Sequence, residues 1–565
     1  MGLETKITNS DLDGVLIGTA TYCEAQNIVT LVKRIRDTCG ELVDIVIVDD
    51  NSPDGTGKIV AEMQLEDRHL ILLQRKFRLG LGSAHKLIKQ YSVVSGYKKL
   101  VTLDADLSHE PEEIPTLVSM CKDNSFVIGS RYIKGGRSDY TGFRRIVSIS
   151  GNILARVAIG ISLRELTTSF RVFDVNVLEK IPLHTIRSNG YGYFIEIIAL
   201  LHRNNVNLYE KSIHFRDRER GSSKISRLQI LFSTVTLIQL SILRLVARKK
   251  PRPAIWWTDC PCRLCGTKSL ILRYDGLNDF SKLDENLEEQ FQSSSVVVES
   301  VFPALYDCLS CGYTQIKSDS FGRDLTKYYK GVEDSVYLAN NKLKKRTFSR
   351  AIKVIEKYFP RKGDICILDV GSYYGLFLRE LEIRGYSGLG IEPSQHASEY
   401  SRTELKLNVI NDSLEGVIDN AEFNKQFDVI TTWDVLEHVE SPKEFLQQIN
   451  SLLKPGGVFV FSTIFIDSVI ARLLGRNWPW IMPMHVTYFR HFLLLRTLSE
   501  CGFTMVHRCN HVHFASVRYA VEGLLRSLSP TIYKKINWLV NSLPKPWILP
   551  FGLGDVRMYI TKKEL

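Results

Sequence analysis

Short apolar runs, each followed by apolar positions at helical spacing, recur at both ends of this chain and predict strands alternating with helices. Val15-Leu16-Ile17-Gly18-Thr19-Ala20-Thr21-Tyr22 reads as a first strand, and Ile28, Leu31, Val32 and Ile35 as the helix behind it. A second strand, Asp44 to Val48, ends in Asp49-Asp50-Asn51-Ser52-Pro53-Asp54-Gly55-Thr56-Gly57. A third, Leu70 to Leu73, leads into Gly80-Leu81-Gly82-Ser83-Ala84 and a helix, and a fourth runs into Asp104-Ala105-Asp106-Leu107-Ser108-His109. Such alternation predicts a doubly wound α/β sheet with parallel strands, whose carboxyl ends gather ligands.

The pattern starts again in the second half. A basic helical stretch, Leu343 to Tyr358, precedes the strand that leads from Ile365 into Asp369-Val370-Gly371-Ser372-Tyr373-Tyr374-Gly375. Gly388 to Glu392, Phe427 through Asp434 to His438, and Leu453-Lys454-Pro455-Gly456-Gly457 with the apolar run behind it follow at βα spacing. Segment 514–553 reads as an insertion before a last strand, Val556 to Thr561. Two Cys-x-x-Cys-Gly knuckles, Cys262/Cys265 and Cys308/Cys311, lie between the halves, after a linker punctuated by Pro251 and Pro253. The chain therefore divides into an α/β domain over 1–250, a small module over 251–330 and a second α/β domain over 331–565, an expectation that its 565 residues support.

Composition adds little except where it is uneven. An apolar fraction of 44% and a charged fraction of 24% are those of an ordinary globular protein. Of the net charge of +11, residues 1–250 carry 35 Lys+Arg against 27 Asp+Glu, a surplus of 8. Segment 203–250 alone holds 11 basic and 3 acidic residues. Basic residues interleaved with the apolar run 225–247 favour an anionic membrane surface over nucleic acid, with the run lying in the interface; a helix packed on the protein's own core or on a partner is the alternative. No run of some 18 uninterrupted apolar residues occurs, and the amino terminus has no apolar core, so neither a spanning helix nor a signal peptide is expected. The scattered cysteines point to a reducing compartment, which places the chain as a peripheral protein on the cytoplasmic face of a membrane.

The candidate chemistry follows from residue types. Asp104 and Asp106, two apart on an extended segment, can offer oxygens to one hard cation that also grips a diphosphate, while Asp49 and Asp50 suit the base and ribose of a nucleotide. A strand-ending turn explains either acidic cluster taken alone; two at successive strand ends favour the site. The paired knuckles read as a four-thiolate structural Zn²⁺ site, closed and therefore without chemistry of its own, with Cys260 as a competing ligand or a bystander.

The acidic and glycine motifs above, together with Gly129-Ser-Arg131-Tyr, Thr168-Ser-Phe-Arg171 and Arg220-Gly-Ser-Ser-Lys224, occur in family order over about 13–245. They resemble the inverting glycosyltransferases of family 2 that make dolichyl- or polyprenyl-phosphate mannose. That resemblance implies a GT-A fold and a nucleotide-sugar donor, GDP-mannose or a UDP-sugar. It places Glu24, Asp49 and Asp50 on the sugar nucleotide, and Mg²⁺ or Mn²⁺ on Asp104 and Asp106. Arg131, Arg144 and Ser148 would bind phosphates, and Arg218 would close over the site. Ala20-Thr-Tyr-Cys23-Glu24 departs from the family's Pro-Thr-Tyr-Asn-Glu at two positions. A phosphate acceptor is already ionised, so this chemistry needs charge stabilisation on the leaving group rather than a strong general base.

The second α/β pattern resembles class I S-adenosylmethionine-dependent methyltransferases, and with the knuckles the whole of 260–565 resembles zinc-containing sugar methyltransferases. By that resemblance Gly371 and Gly375 pass the methionine part of the cofactor, Glu392 binds the ribose and Asp412 lies by the adenine, with Asp369 and Asp434 in the same set. Tyr373 stands where the middle glycine is usual. His438, His485 and Tyr488 are candidates for methyl transfer, and each also has ordinary uses as a pocket or core residue. A dehydrogenase is the rival reading of the glycine turn, and a methyltransferase fold without chemistry the rival reading of the domain.

Overall fold

The computed structural model of the chain describes residues 12–186, 188–190, 192–217, 256–276, 303–317, 337–338, 340–359, 365–418, 427–482, 484–516, 518, 521, 538 and 548–564. These form two compact units, one within Met1–Pro261, Thr267–Arg273 and Cys308–Gly312, the other within Cys262–Gly266, Tyr274–Asp307 and Tyr313–Leu565. Residues of the expected 251–330 module are shared between them.

In the first unit seven strands form one sheet: β1 (Val15–Thr21), β2 (Asp44–Asp49), β3 (Leu70–Gln74), β4 (Lys99–Thr102), β5 (Ser125–Ser130), β7 (Arg171–Asp174) and β8 (Asn207–Ser212). A short β6 (Arg137–Ser138) pairs elsewhere with β9 (His214–Phe215). The order is β3-β2-β1-β4-β7-β5-β8. Strands β3, β2, β1 and β4 are parallel as the sequence predicts, but β7 lies antiparallel between β4 and β5. The parallel strands are buried on both faces, which is why their sequences are apolar runs rather than alternations. Leu16, Val46, Val48 and Leu100 point into one core and Val15, Ile17, Ile45, Ile47 and Val101 into the other. Helix α1 (Ile28–Cys39) covers the second face and α3 (Leu81–Val94) the first. Gly18 permits the close approach of α3, since a Cβ there would stand 2.3 Å from Ile88 Cγ2.

In the second unit the sheet order is β16-β15-β14-β17-β18-β23-β20. Its strands are β14 (Ile367–Val370), β15 (Gly388–Ile391), β16 (Val409–Ile410), β17 (Phe427–Trp433), β18 (Leu453–Ile464), β20 (Phe503–Asn510) and β23 (Val556–Lys563). The first five are parallel, and β23 runs antiparallel to both its neighbours. β18 begins at Leu453, so the expected Lys454-Pro-Gly-Gly457 turn is the start of a strand. Helix α8 (Asn341–Ile355) packs Phe348, Ala351, Ile352 and Ile355 on Ile367, Val429, Val460 and Ile560. Among the described residues of the expected insertion, β21 (His513–Ser516) pairs as a ribbon with β22 (Ile548–Phe551). Strands β12 (Leu305–Cys308), β13 (Thr314–Ile316) and β19 (Thr487–Tyr488) are antiparallel neighbours.

Candidate active sites

β4 ends at Thr102, so Asp104 and Asp106 fall just past a strand end, as expected. The turn is pinned from behind by a histidine. The Asp104 backbone N–H donates to His109 Nδ1 at 3.1 Å, so the other ring nitrogen carries the proton and donates to Thr168 Oγ1 at 2.8 Å. Burial lowers the His109 pKa to about 4, which keeps the ring neutral in this bracing role. Asp104 keeps 35% of its side chain exposed, whereas Asp106 is buried and accepts from Ser108 N–H at 3.2 Å. Leu107, directly after Asp106, takes a φ of +62°, a strained conformation for a bulky side chain.

The other expected residues are held by the fold. Asp49 accepts from Thr21 Oγ1 (3.0 Å), Ser52 N–H (3.0 Å) and Ser52 Oγ (2.5 Å). Asp50 accepts from the N–H groups of Leu79 (2.7 Å) and Gly80 (2.8 Å) and pairs with buried Arg75 at 3.1 Å. It thus fixes the loop that leads into α3. Glu24 accepts from Asn27 Nδ2 at 2.8 Å, and its N–H reaches Thr56 Oγ1 at 2.9 Å. Arg131, at the end of β5, forms a buried two-point pair with Glu165, Nε–Oε2 2.8 Å and Nη2–Oε1 3.1 Å, and stacks over Phe215 at 4.5 Å. Burial alone would raise the Glu165 pKa, yet the Arg131 guanidinium and the Thr167 hydrogen bonds hold it below the usual range. Ser148, on α5 (Gly142–Ile159), hydrogen-bonds the Tyr132 hydroxyl at 2.6 Å. Arg144 belongs to the same helix, but its side chain lies outside the described residues, as do Arg218 and the whole of 225–247. Sequence reasoning missed His109, Glu165 and Arg75. His109 closes the Asp104 motif itself and could have been read from it.

In the second unit the glycine turn links β14 to helix α9 (Leu376–Glu382). Gly371 and Gly375 have φ of +73° and +69°, and a Cβ would stand 2.6 Å from Val435 Cγ2 and 2.7 Å from Leu407 Cδ1. Tyr373 adopts a φ of +48°, so it keeps the glycine-like turn, and its N–H donates to Glu392 Oε2 at 2.7 Å. The other Glu392 oxygen accepts from Ser394 N–H at 2.8 Å, and burial pushes its pKa up to about 7. Asp369, tied to Thr431 Oγ1 at 2.6 Å, is raised by burial to about 8, and its Oδ2 is buried without a hydrogen-bond partner among the described residues. Asp412 is exposed and accepts from its neighbour Ser413 N–H at 2.7 Å.

His438, His485 and Tyr488 come together, with ring centres 4.7 Å apart for the two histidines and 6.3 Å for His485 and Tyr488. Both histidines donate Nδ1–H to backbone carbonyls, His438 to Met484 (3.0 Å) and His485 to Trp480 (2.8 Å). That fixes the neutral tautomer with the lone pair on Nε2, and burial lowers the two pKa values to about 4 and about 3. Glu437 beside them, bonded by Thr463 Oγ1 at 2.9 Å, is raised by burial and by the Asp434 charge to about 8. Asp434, at the end of β17, has a φ of +54° and accepts from Ser462 Oγ at 2.6 Å.

The sulfurs of Cys262, Cys265, Cys308 and Cys311 lie within 4.8 Å of one another, a donor set compatible with zinc. Each knuckle closes alike, Gly266 N–H on Cys262 O (2.8 Å) and Gly312 N–H on Cys308 O (2.9 Å), with glycine φ of +74° and +81°.

Known proteins bear on both units. The family model for glycosyl transferase family 2 matches residues 17–182, and a methyltransferase domain model matches 343–508. The undecaprenyl-phosphate mannosyltransferase of Micrococcus luteus is 34% identical over 207 residues, which are 36% of this chain and 85% of that protein. The polyprenol monophosphomannose synthase of Mycolicibacterium smegmatis is 36% identical over 209 residues, 36% of this chain and 78% of that protein. Among solved structures, an S-adenosylmethionine-dependent methyltransferase from Archaeoglobus fulgidus aligns over 41% of this chain and 100% of its own, with 20% identity and a TM-score of 0.29. With a GT-A-type sheet in the first unit and a class I methyltransferase sheet in the second, the chain belongs to the family 2 glycosyltransferases, among the polyprenyl-phosphate mannosyltransferase homologues, and carries a methyltransferase domain fused to that enzyme.

Proposed function

We propose that the first unit transfers a mannose-like sugar from a nucleotide-sugar to polyprenyl phosphate, and that the second methylates the same sugar or glycolipid from S-adenosylmethionine. The observation that carries the first half is Asp104, a partly open carboxylate braced by a neutral imidazole beside buried Asp106. The two carboxylates suit Mg²⁺ or Mn²⁺, which when bound would stabilise charge on the departing diphosphate. The acceptor phosphate oxygen bonds to the anomeric carbon as the bond to the diphosphate breaks, with inversion. Two of the three Arg131 nitrogens face Glu165, so a phosphate contact falls to its remaining N–H groups. Helix α5 supports a lipid acceptor: Ile146, Ile153, Leu154 and Val157 are 50–69% exposed on the helix that carries Ser148. Attachment of the basic segment 225–252 to anionic membrane on the cytoplasmic face belongs to the same proposal.

For the second half, the orphaned Asp369 Oδ2, the close-packed glycine turn and the hydroxyl-ready Glu392 fit S-adenosylmethionine, which supplies the methyl group. His438 and His485, neutral with Nδ1–H committed to backbone carbonyls, suit hydrogen-bonding and positioning of an acceptor hydroxyl rather than strong base catalysis. Zinc on the four thiolates is a scaffold in this account. Incubation with labelled GDP-mannose and polyprenyl phosphate should give a labelled lipid that requires Mg²⁺ or Mn²⁺, and calorimetry should give heat with S-adenosylmethionine. Transfer that persists in chelator, or no heat at millimolar cofactor, contradicts the respective half.

A further inference from the structure

We infer that Asp434, His511 and His513 form a further divalent-cation site, separate from the thiolate cluster. A carboxylate oxygen and two imidazole nitrogens, one from each residue, lie within 4.8 Å of one another. They come from different parts of the second unit: Asp434 from the end of β17, His513 from the first position of β21 and His511 from two residues before it. His511 and His513 are two apart on an extended segment, which directs both rings to one side.

The three residues are held in place by the fold. His511 N–H donates to Val556 O at 3.1 Å, and Phe514 N–H, next to His513, donates to Thr347 Oγ1 at 3.0 Å. The His511 ring stacks on Trp433 with centres 5.3 Å apart, and the His513 ring meets it edge-on at 4.5 Å. Ser462 Oγ takes one Asp434 oxygen at 2.6 Å and receives the Asp434 N–H at 3.0 Å. The left-handed backbone of Asp434 is a strain of the kind that accompanies functional sites. The second, independent observation is His513 Nε2, a buried ring nitrogen that has no hydrogen-bond partner among the described residues. Such a nitrogen is costly unless something outside the chain satisfies it.

Two imidazoles and one carboxylate select a first-row divalent ion over Mg²⁺ or Ca²⁺, and three protein ligands leave positions open to oxygen ligands. On the methyltransferase reading above, those ligands are neighbouring oxygens of a polyhydroxylated acceptor. The Lys344 ammonium acts on all three residues and opposes a cation. The site therefore binds more weakly than four thiolates and is the first to be stripped by a chelator.

The test uses the full chain with zinc on its thiolates and Asp104→Asn in the background, so that the sugar-transfer site does not enter the count. Titration with MnCl₂, followed by the electron-paramagnetic signal of free Mn²⁺, should show one bound ion per chain. His513→Ala and Asp434→Asn should each weaken it more than about a hundredfold, beyond the range of outer contacts. A circular-dichroism melt checks that each variant is folded. Cobalt(II) added to the chain without the ligand substitutions gives a readout independent of folding of the variants: a bound spectrum without thiolate charge transfer is expected. Undiminished Mn²⁺ binding in both folded variants, no bound Mn²⁺ in the parent chain, or a purely thiolate cobalt spectrum overturns the site. No cofactor or acceptor is present, so this result stands or falls apart from methyl transfer.

Discussion

Buried carboxylates meet opposite environments in the two units. Glu165 is fully buried but faces the Arg131 guanidinium, which offsets the burial and keeps the acid ionised. Asp369, Glu392 and Glu437 are as deeply buried, receive only hydroxyl or backbone N–H donors, and are pushed up to about 8, 7 and 8. The Glu165–Arg131 pair of the first unit has settled its charge in advance, as suits the phosphate-binding site proposed there. The second holds acids that titrate near neutrality, where a bound hydroxyl-rich or cationic molecule decides their state.

The largest effect expected from this contrast is in the first unit. Asp104→Asn should lower sugar transfer by about a thousandfold, in the range seen when one charge-stabilising group is lost, while heat from S-adenosylmethionine binding is unchanged. Equal loss in both assays would mean that the substitution unfolds the chain. Next comes Glu165→Gln, which leaves the Arg131 charge buried without its partner. It should cost about 3–5 kcal/mol in the first unit's unfolding transition by denaturant titration. A change under about 1 kcal/mol would show that water reaches the pair.

Smaller effects sharpen the other side. Glu392 and Asp369 have folded pKa values raised above the ordinary carboxylate range, so their stabilising contribution is complete below about pH 4 and is lost as pH rises through about 7 to 8. The unliganded second unit should therefore melt lower at pH 9 than at pH 6. Ribose hydroxyls donate best to an ionised Glu392, so cofactor affinity should fall as pH drops below about 7, by up to about tenfold per unit. Glu392→Gln should flatten that profile; an unchanged slope would assign the titration elsewhere. Asp412→Asn, at an exposed site, should change cofactor affinity by less than about threefold.

Both sheets were legible in the sequence because parallel strands buried on both faces are written as apolar runs with glycine or acidic turns behind them. The antiparallel β7 was not, since Arg171-Val-Phe-Asp174 looks like any short apolar stretch and only its pairing reveals its direction. Asp104 and Asp106 could be read at once, and so could the paired knuckles, whose donors are close together in the chain. Glu165 could not: its meaning comes from Arg131, 34 residues away, brought beside it by folding. Tyr373 departs from the glycine pattern, yet a left-handed backbone and an N–H on Glu392 keep the turn. His511 and His513 carried a signal, a His-x-His spacing on an extended segment, but its third member, Asp434, lies 77 residues before the first of them.

The central claim is that one chain serves one sugar with two reactions, because fusing the units raises the concentration of one site's product at the other. It is tested by a single incubation of the full chain with GDP- and UDP-sugars, polyprenyl phosphate, Mn²⁺ and labelled S-adenosylmethionine, followed by mass analysis of the lipid fraction. A lipid heavier by one sugar and one labelled methyl group is predicted. Sugar transfer with no label in the lipid or in the sugar nucleotide would contradict it.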